Sequence, residues 1–210
     1  MKILFVIATL ISSTLFAQDA TADKVLAKLS EKLKSQSAFY IEFNANVKNT
    51  ASGLNDSNTG KGWVKGDKYH ASYGENTSIS NGFKSWTILK EEKSVYVTSA
   101  GDDDESMNPK KLLTIWEKGF KSKYDKESKI GDESVHIIHL YPKNPASVEY
   151  HTITLYISTT SNEIKKAVMK TKDGTVMTYT VTKFQPSTSI PDSKFVFDKS
   201  KYPGYHIIED

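Results

Sequence analysis

Apolar and polar positions alternate with two different periods along the chain, and the period changes once, close to the N-terminus. Over 19–36 the apolar residues recur at helical spacing with lysine and glutamate between them: Val25, Leu26, Leu29 and Leu33. This spacing predicts an amphipathic helix with one narrow apolar stripe. A stripe of that width is typical of a helix that lies across another surface.

After this helix the period becomes two, which predicts strands with one apolar face. The first such stretch has apolar residues at every second position: Phe39, Ile41, Phe43, Ala45 and Val47. The alternation returns over 150–158, which contains Ile153, Leu155 and Ile157. It returns again over 175–184, after a Lys172-Asp173-Gly174 turn that predicts a hairpin.

Shorter strands are predicted at 61–65, 68–73, 85–89, 94–99, 134–140 and 164–171. Turn signals such as Asn81-Gly82 and Gly131-Asp132 separate them. About ten strands without an intervening helix after each one predict a mainly β fold built as an antiparallel meander. A second, short helix is predicted where Asn108 caps Pro109 ahead of Leu112, Leu113 and Trp116.

A long antiparallel sheet with one apolar face must curl around something or be covered. Two short helices are too small to cover about ten strands. Either the remaining apolar face encloses a cavity, or the sheet closes into a barrel or sandwich that is filled by its own side chains. The pattern alone leaves both arrangements open.

The N-terminal residues predict where the protein is sent in the cell. Lys2 precedes an uncharged, mostly apolar run over 3–16, and Ala17-Gln18-Asp19-Ala20 follows it. This order predicts a cleavable signal peptide over 1–17, cut between Ala17 and Ala20, and a single exported domain over 18–210. The run is about 14 residues long against roughly 20 for a membrane span, and an uncleaved anchor is the alternative. With no cysteine, the chain has no residue that could be acylated as in a lipoprotein.

Charge excludes some partners. The chain has 28 basic and 25 acidic residues, a formal net charge of +3, and all of its basic residues are lysine. No sequence-wide attraction to a membrane follows from this balance. Without arginine there is no bidentate clamp for phosphate or carboxylate, and a nucleic-acid surface is disfavoured.

Motifs of catalysis and metal binding are absent from the sequence. There is no nucleophile elbow, Walker loop, dinucleotide fingerprint or zinc-protease motif. His136 and His139 are three apart, which places them on opposite faces of a strand and disfavours a shared metal. The acidic run over 102–105 lacks the spacing of a calcium loop and is interpreted as solvated. An enzyme is therefore not expected.

Several short motifs nevertheless follow one another in a familiar order behind the helix. They are Phe39-Tyr40-Ile41-Glu42-Phe43, Gly60-Lys61-Gly62-Trp63-Val64-Lys65, Asn81-Gly82 before Trp86-Thr87-Ile88, Asn108-Pro109 before Leu112-Leu113, Ile190-Pro191-Asp192-Ser193-Lys194-Phe195-Val196-Phe197, and Tyr202-Pro203-Gly204-Tyr205-His206-Ile207-Ile208. In this order they resemble the family of LolA-like periplasmic carriers of outer-membrane lipoproteins, over nearly the whole mature chain.

The resemblance implies an unclosed antiparallel β-barrel, or half-barrel, of about ten to eleven strands, with short helices as a lid over an apolar cavity for acyl chains. It implies a monomeric shuttle in the periplasm without a cofactor or nucleic acid. Its partners would be acylated lipoproteins, an inner-membrane lipoprotein-releasing transporter and an outer-membrane acceptor. Some members have an arginine two residues after the Trp-Val pair, where this chain has Gly66, so only Lys65 or Lys68 can supply a charge nearby.

Three functions stay open on the sequence: a lipoprotein carrier, a sensor or adaptor (or a carrier of another amphiphile) with the same fold, and an enzyme that acts on a lipid or glycan. The carrier is the leading hypothesis. Its predicted cavity residues are Phe39, Ile41, Phe43, Trp63, Tyr69, Trp86, Ile88, Leu112, Leu113, Trp116, Ile153, Leu155 and Ile157. A half-buried pattern does not reveal which face of each strand points inward.

Overall fold

The computed structural model describes residues 14–100, 114–187 and 189–209. In these ranges the chain forms one α-helix and twelve β-strands. They are α1 (Thr14–Lys34), β1 (Ala38–Asn49), β2 (Leu54–Lys65), β3 (Lys68–Tyr73), β4 (Asn76–Ser80), β5 (Lys84–Leu89), β6 (Ser94–Ser99), β7 (Phe120–Ile130), β8 (Glu133–Pro142), β9 (Tyr150–Ser158), β10 (Ile164–Thr171), β11 (Val176–Ser187) and β12 (His206–Glu209).

All twelve strands belong to one sheet, in the order β12-β6-β5-β4-β3-β2-β1-β11-β10-β9-β8-β7. Two meanders, β1 to β6 and β7 to β11, meet where β1 pairs with β11. Every pair is antiparallel except β12 with β6, which is parallel. Because β12 and β7 stand at opposite ends of the order, the sheet is unclosed, and the predicted half-barrel is confirmed.

Most predicted elements are confirmed, although β2 begins at Leu54, seven residues before the strand predicted at 61–65. The amphipathic helix forms, although it begins at Thr14, inside the predicted signal peptide. Among the α1 side chains whose burial is described, from Ala20 onward, the first buried one is Ala22, which follows the predicted cleavage site. The helix predicted over 108–116 falls mostly outside the described residues, which show only a 3₁₀ turn at Ile115–Glu117.

Three strands, β4, β7 and β12, were not predicted. Their sequences lack a simple alternation of apolar and polar residues: β4 has serines on one face, β7 has a lysine at four of its eleven positions, and β12 is only four residues long. Backbone pairing with their neighbours, rather than side-chain pattern, makes them strands. Over the described part of the chain, no helix combines the length and the apolarity that crossing a membrane needs.

The helix packs against one side of the sheet, which we call the helix face. The buried stripe of α1 contacts the inward side chains of β8, β9 and β10, and this cluster includes Leu26, Leu29, Ile138, Leu140, Ile153, Leu155, Ile157 and Ile164. On β1, β2 and β3 the same face carries a second apolar cluster of Phe39, Ile41, Val64, Tyr69 and Ala71. The helix therefore lies over the second meander and borders the first.

The opposite side, which we call the tail face, is covered over the first meander by the segment that follows β11. Ile190 and Phe195 of this segment pack with Ala38 and Trp63, and both are almost fully buried. Farther along, the Phe197 ring stacks on the Trp86 ring with 5.7 Å between centroids. The tail thus serves as the second layer over β1 to β6. In β4, β5 and β6 the apolar side chains point toward this tail face.

Gly60 shows how closely the helix face is packed on β2. It lies opposite Phe43 in the register of β1 and β2, and the Phe43 ring covers it. A Cβ atom at position 60 would overlap this ring. Glycine at this site is therefore required by packing.

We expect Gly60→Ala to lower the free energy of unfolding by about 1 to 3 kcal/mol, because the added methyl group must displace the Phe43 ring. Urea denaturation of the wild type and the variant measures this loss. In a Phe43→Ala background the same Gly60→Ala change should cost much less. An equal cost in both backgrounds would contradict the packing argument.

His70 connects the tail to the sheet. Its Nδ1–H donates to the carbonyl oxygen of Lys194 over 2.8 Å. Burial lowers the pKa of His70 below its usual value, and the nearby Lys194, Lys201 and Lys61 lower it further, against the raising effect of this hydrogen bond. Because its folded-state pKa lies below the unfolded value, the neutral imidazole stabilises the fold.

We expect this stabilisation to be fully present above about pH 6.5 and to be lost as the pH falls through the lowered pKa of His70. Thermal denaturation over this range should show a steeper loss of stability in the wild type than in His70→Gln. The exposed His206 offers a matched control, and His206→Gln should keep the wild-type slope. Identical slopes for all three proteins would show that His70 does not contribute.

Candidate functional site

Two clefts flank the 3₁₀ turn at Ile115–Glu117, where it meets α1 on the helix face. The first cleft has a volume of about 460 Å³ and is lined by Asp23, Leu26, Ala27, Ser30, Lys34, Trp116, Glu117, Lys118, Phe120, Ser122 and Leu140. The second has a volume of about 400 Å³ and is lined by Leu33, Lys34, Gln36, Ser37, Phe39, Val64, Gly66, Thr114 and Glu117. Both volumes are in the range of small-molecule sites, which is about 300 to 1,000 Å³.

The first cleft has an apolar floor and a polar rim. Leu26, Trp116 and Leu140 belong to the buried core beneath α1, and Phe120 packs against it. At the rim, the Ser122 hydroxyl donates to the Asp23 carboxylate over 2.9 Å. This bond holds the start of β7 against α1 and closes one side of the cleft.

The second cleft combines three apolar side chains with a polar and charged remainder. Leu33 comes from the last turn of α1, Phe39 from the start of β1 and Val64 from the end of β2, so three elements meet here. Phe39 and Val64 face each other directly in the β1–β2 register. Gly66, in the turn after β2, stands at the edge of this cleft.

Lys34 and Glu117 line both clefts and stand between them. The Lys34 ammonium lies 3.1 Å from the Glu117 carboxylate, and the hydrogen bond from Lys34 is the main cause that lowers the pKa of Glu117. Beside them, the Trp116 indole Nε1–H donates to the Ser30 hydroxyl over 3.2 Å. One ion pair and one hydrogen bond thus hold the turn on α1 and separate the clefts.

Between α1 and the middle of the sheet there is almost no free space. A gap of about 10 Å³ remains where Leu29 and Leu33 approach Ile41, Ile164 and Phe184. At these residues the helix face is therefore filled by α1. More room along the sheet requires α1 or the 3₁₀ turn to move.

Eight of the predicted cavity residues lie on the helix side of the sheet. Phe39, Ile41 and Tyr69 form the cluster on the first meander, Ile153, Leu155 and Ile157 lie beneath α1, and Trp116 joins them from the 3₁₀ turn. Phe43 is placed on the same face by its register with Gly60 and Val181. Of these eight residues, Phe39 and Trp116 line the open clefts. Leu112 and Leu113 lie outside the described residues.

Trp63, Trp86 and Ile88 lie on the tail face, and we remove them from the candidate site. Trp63 is opposite Tyr40 on β1 and His70 on β3. This row continues through Ile79 to Trp86, while Ile88 belongs to the apolar cluster under the tail. Period-two alternation identifies two faces within one strand, but it does not connect the faces of different strands.

The lysines considered as substitutes for the family arginine also lie on the tail face. Lys65 is 2.9 Å and Lys68 is 3.1 Å from the carboxylate oxygens of Asp192. Lys65 also donates to the carbonyl oxygen of Ile190. Both ammonium groups therefore fasten the tail, and neither lies on the face of the cleft that Gly66 borders.

Sequence reasoning did not select several residues of the clefts, above all Leu26, Leu33, Val64, Ser30 and Glu117. The helical stripe already contained Leu26 and Leu33, and this signal could have placed them in a site beneath the helix. Ser30 and Glu117 gave no signal, because their role depends on a contact between distant segments. His136 and His139 lie on opposite faces, and the described residues contain no group of side chains arranged to hold a metal ion.

The unclosed twelve-stranded sheet, crossed by one helix that borders two clefts, defines a half-barrel class of fold. Its sequence matches the model of the family described as outer membrane lipoprotein carrier protein LolA over residues 69–198. The chain belongs to this LolA family. No curated protein matches the sequence.

Solved structures share the fold at low sequence identity. An uncharacterized conserved protein from Thermus thermophilus is 8% identical, with a TM-score of 0.60 over 90% of this chain and 99% of that one. A DUF1329 family protein from Desulfovibrio piger has 9% identity and a TM-score of 0.50, over 88% of this chain and 99% of that one. A LolA superfamily protein from Nitrosomonas europaea is also matched, with 13% identity and a TM-score of 0.45, over 84% of this chain and 97% of that one.

We expect Ser30→Ala to lower the free energy of unfolding by about 1 kcal/mol, because the buried Trp116 indole loses its hydrogen-bond acceptor. Urea denaturation measures the loss. Ser35→Ala is the control, since the Ser35 hydroxyl is exposed and bonds only within its own helix end. A loss of stability in Ser35→Ala as large as that in Ser30→Ala would contradict a specific contact between the turn and α1.

Proposed function

We propose that this protein is a periplasmic carrier that binds the acyl chains of lipoproteins on its helix face and takes them from the inner to the outer membrane. The observation that carries the proposal is the pair of clefts between α1, the 3₁₀ turn and the apolar sheet. Membership of the LolA family supports it. The predicted signal peptide over 1–17 supplies the export that this role needs.

Transport of an acyl chain through an aqueous compartment requires an apolar binding surface. Each methylene group of an acyl chain that leaves water contributes about 0.8 kcal/mol, so a lipid anchor needs apolar shelter to cross an aqueous compartment. Such binding is non-directional and needs apolar area more than placed polar groups. The protein therefore acts by binding rather than by catalysis, as a monomer and without a cofactor.

Cargo enters by displacement of the 3₁₀ turn. The turn is held to α1 by the Lys34–Glu117 pair and the Trp116–Ser30 hydrogen bond. An exposed ion pair contributes about 0 to 1 kcal/mol, a neutral hydrogen bond about 1 kcal/mol and burial of the Trp116 side chain roughly 3 kcal/mol. Burial of about six methylene groups therefore offsets the loss of all three. Movement of the turn joins the two clefts and uncovers Phe39 and Trp116. Acyl chains then replace α1 contacts along Ile153, Leu155 and Ile157.

The partners follow from this route. Acylated lipoproteins are the cargo, an inner-membrane lipoprotein-releasing transporter loads it, and an outer-membrane acceptor receives it. Because Gly66 stands in place of the family arginine and Lys65 and Lys68 are bound to Asp192, handover here proceeds without either of these two lysines.

We expect the purified mature protein to take up a fluorescent acyl probe and to extract a lipoprotein from inner-membrane vesicles. Leu33→Trp should weaken probe binding by at least about 10-fold, because the larger side chain fills the second cleft. Leu54→Trp is the matched control, since Leu54 is exposed at the start of β2, away from both clefts. Fluorescence titration gives the affinities, and circular dichroism confirms that both variants are folded.

Extraction equal to that of a sample without protein would refute the carrier. Equal probe affinities for Leu33→Trp and the wild type would show that the probe does not bind in the second cleft. Pull-down from a periplasmic extract separates the carrier from a sensor or adaptor of the same fold, because a carrier returns many lipoproteins and a sensor one dominant partner.

A further inference from the structure

Lysine side chains populate the part of the tail face that the tail leaves uncovered. This part comprises the outward positions of β7 to β11 and of the neighbouring β1 and β2, and we call it the basic face. The register of the strands places eight lysines on it: Lys48, Lys61, Lys121, Lys123, Lys126, Lys166, Lys170 and Lys183. Seven of the eight are exposed, and Lys166 is half-buried.

Few negative charges accompany these lysines. Glu42 accepts a hydrogen bond from a neighbouring tyrosine over 2.7 Å, and the Asp125 carboxylate lies 3.7 Å from His139. At the edge of the face, the Glu133 carboxylate lies 3.6 Å from the Lys165 ammonium, so these two charges offset each other. Within the described residues, none of the eight lysines forms an ion pair. Eight lysines against two uncompensated carboxylates exceed the formal +3 of the whole chain, so the rest of the molecule is net negative.

The spacing of these charges is broad and regular. Neighbouring strands lie about 4.8 Å apart, so three strand intervals, roughly 14 Å, separate Lys126 on β7 from Lys166 on β10. Ile137 on β8 and Tyr156 on β9 lie between these two lysines. Uncharged polar side chains such as Thr154, Thr178 and Thr180 occupy other outward positions of the basic face. The positive charge is therefore spread over the basic face and is not concentrated at one point.

The side chains themselves favour one kind of partner. Lysine is a point charge on a flexible stem and lacks the fork that recognises one carboxylate or phosphate bidentately. Tyr156 lies beneath the Lys166 ammonium, 4.0 Å from its ring centroid, and Tyr141 is exposed beside Lys121. Lysines with interspersed tyrosines are typical of surfaces that meet lipid headgroups.

We propose that the basic face docks this protein on a phospholipid bilayer that contains anionic headgroups. The helix face and its clefts then point away from the bilayer, because they lie on the other side of the sheet. Docking is electrostatic and reversible, and it raises the local concentration of the protein at the membrane without occupying the clefts. The proposal does not depend on what the clefts bind.

Vesicle flotation with the mature protein tests this docking. The protein should float with phosphatidylcholine vesicles that contain phosphatidylglycerol and should stay unbound with phosphatidylcholine alone. Binding should be lost when the salt rises from about 0.1 M to about 1 M, because the Debye length falls from about 10 Å to about 3 Å.

Charge variants then locate the docking surface. The triple variant Lys126→Gln, Lys170→Gln and Lys183→Gln should bind anionic vesicles about 100-fold more weakly, whereas arginine at the same three positions should preserve binding. The matched control, Lys24→Gln, Lys28→Gln and Lys129→Gln, removes the same charge from exposed positions on α1 and on the helix-face side of β7, and it should bind as the wild type does.

Three results would overturn the proposal: no flotation with anionic vesicles at low salt, equal binding to neutral vesicles, or an equal loss in both triple variants. The Leu33→Trp variant keeps this test apart from the carrier function. It should float as well as the wild type, since its blocked cleft lies on the other face. Flotation that disappears in Leu33→Trp would assign membrane binding to acyl capture and contradict docking by the basic face.

Discussion

The pairing of β1 with β2 on one side and with β11 on the other is the interaction on which the rest of this structure depends. It joins two meanders from the two halves of the chain into one continuous sheet. It also fixes which side chains share a face across twelve strands, because side chains alternate with period two and a shift of one residue would exchange the faces. The β1–β11 register shifts between Glu42 and Phe43, whereas the β1–β2 register is continuous there. Phe43 therefore stays on the helix face.

Two segments of the chain cover this sheet, each as a single layer, and they lie on opposite faces. The helix lies over the second meander on one face, and the tail lies over the first meander on the other. Where each cover ends, the sheet is left with a free surface of different chemistry. Beside the helix it is apolar and holds two clefts, and beside the tail it is polar and rich in lysine. One sheet thus separates an apolar surface with two clefts from a charged surface, and the carrier function and the membrane docking proposed here use one surface each.

Much of the site was accessible from the sequence where a local pattern was sufficient. The stripe of α1 and the alternation in β1 and β9 predicted the buried positions, which include Phe39, Ile153 and Leu155, because each pattern reports burial within its own element. Trp63, Trp86 and Ile88 lie on the tail face, opposite the clefts, since strands of equal pattern can point their apolar sides in opposite directions. The Lys34–Glu117 ion pair and the Trp116–Ser30 hydrogen bond could not be predicted from the sequence, because each joins segments more than 80 residues apart in the chain.

By itself, the sequence determined nine of the twelve strands and the helix α1, the mainly β class, the family and the absence of thiol and guanidinium chemistry, because these depend on local spacing and composition. Only the tertiary structure decided which face each strand presents, since register is set by pairing between distant strands. For the same reason the modest net charge of +3 concealed a strongly positive face. Composition sums the charges of a chain, whereas a folded sheet sorts them to one side or the other.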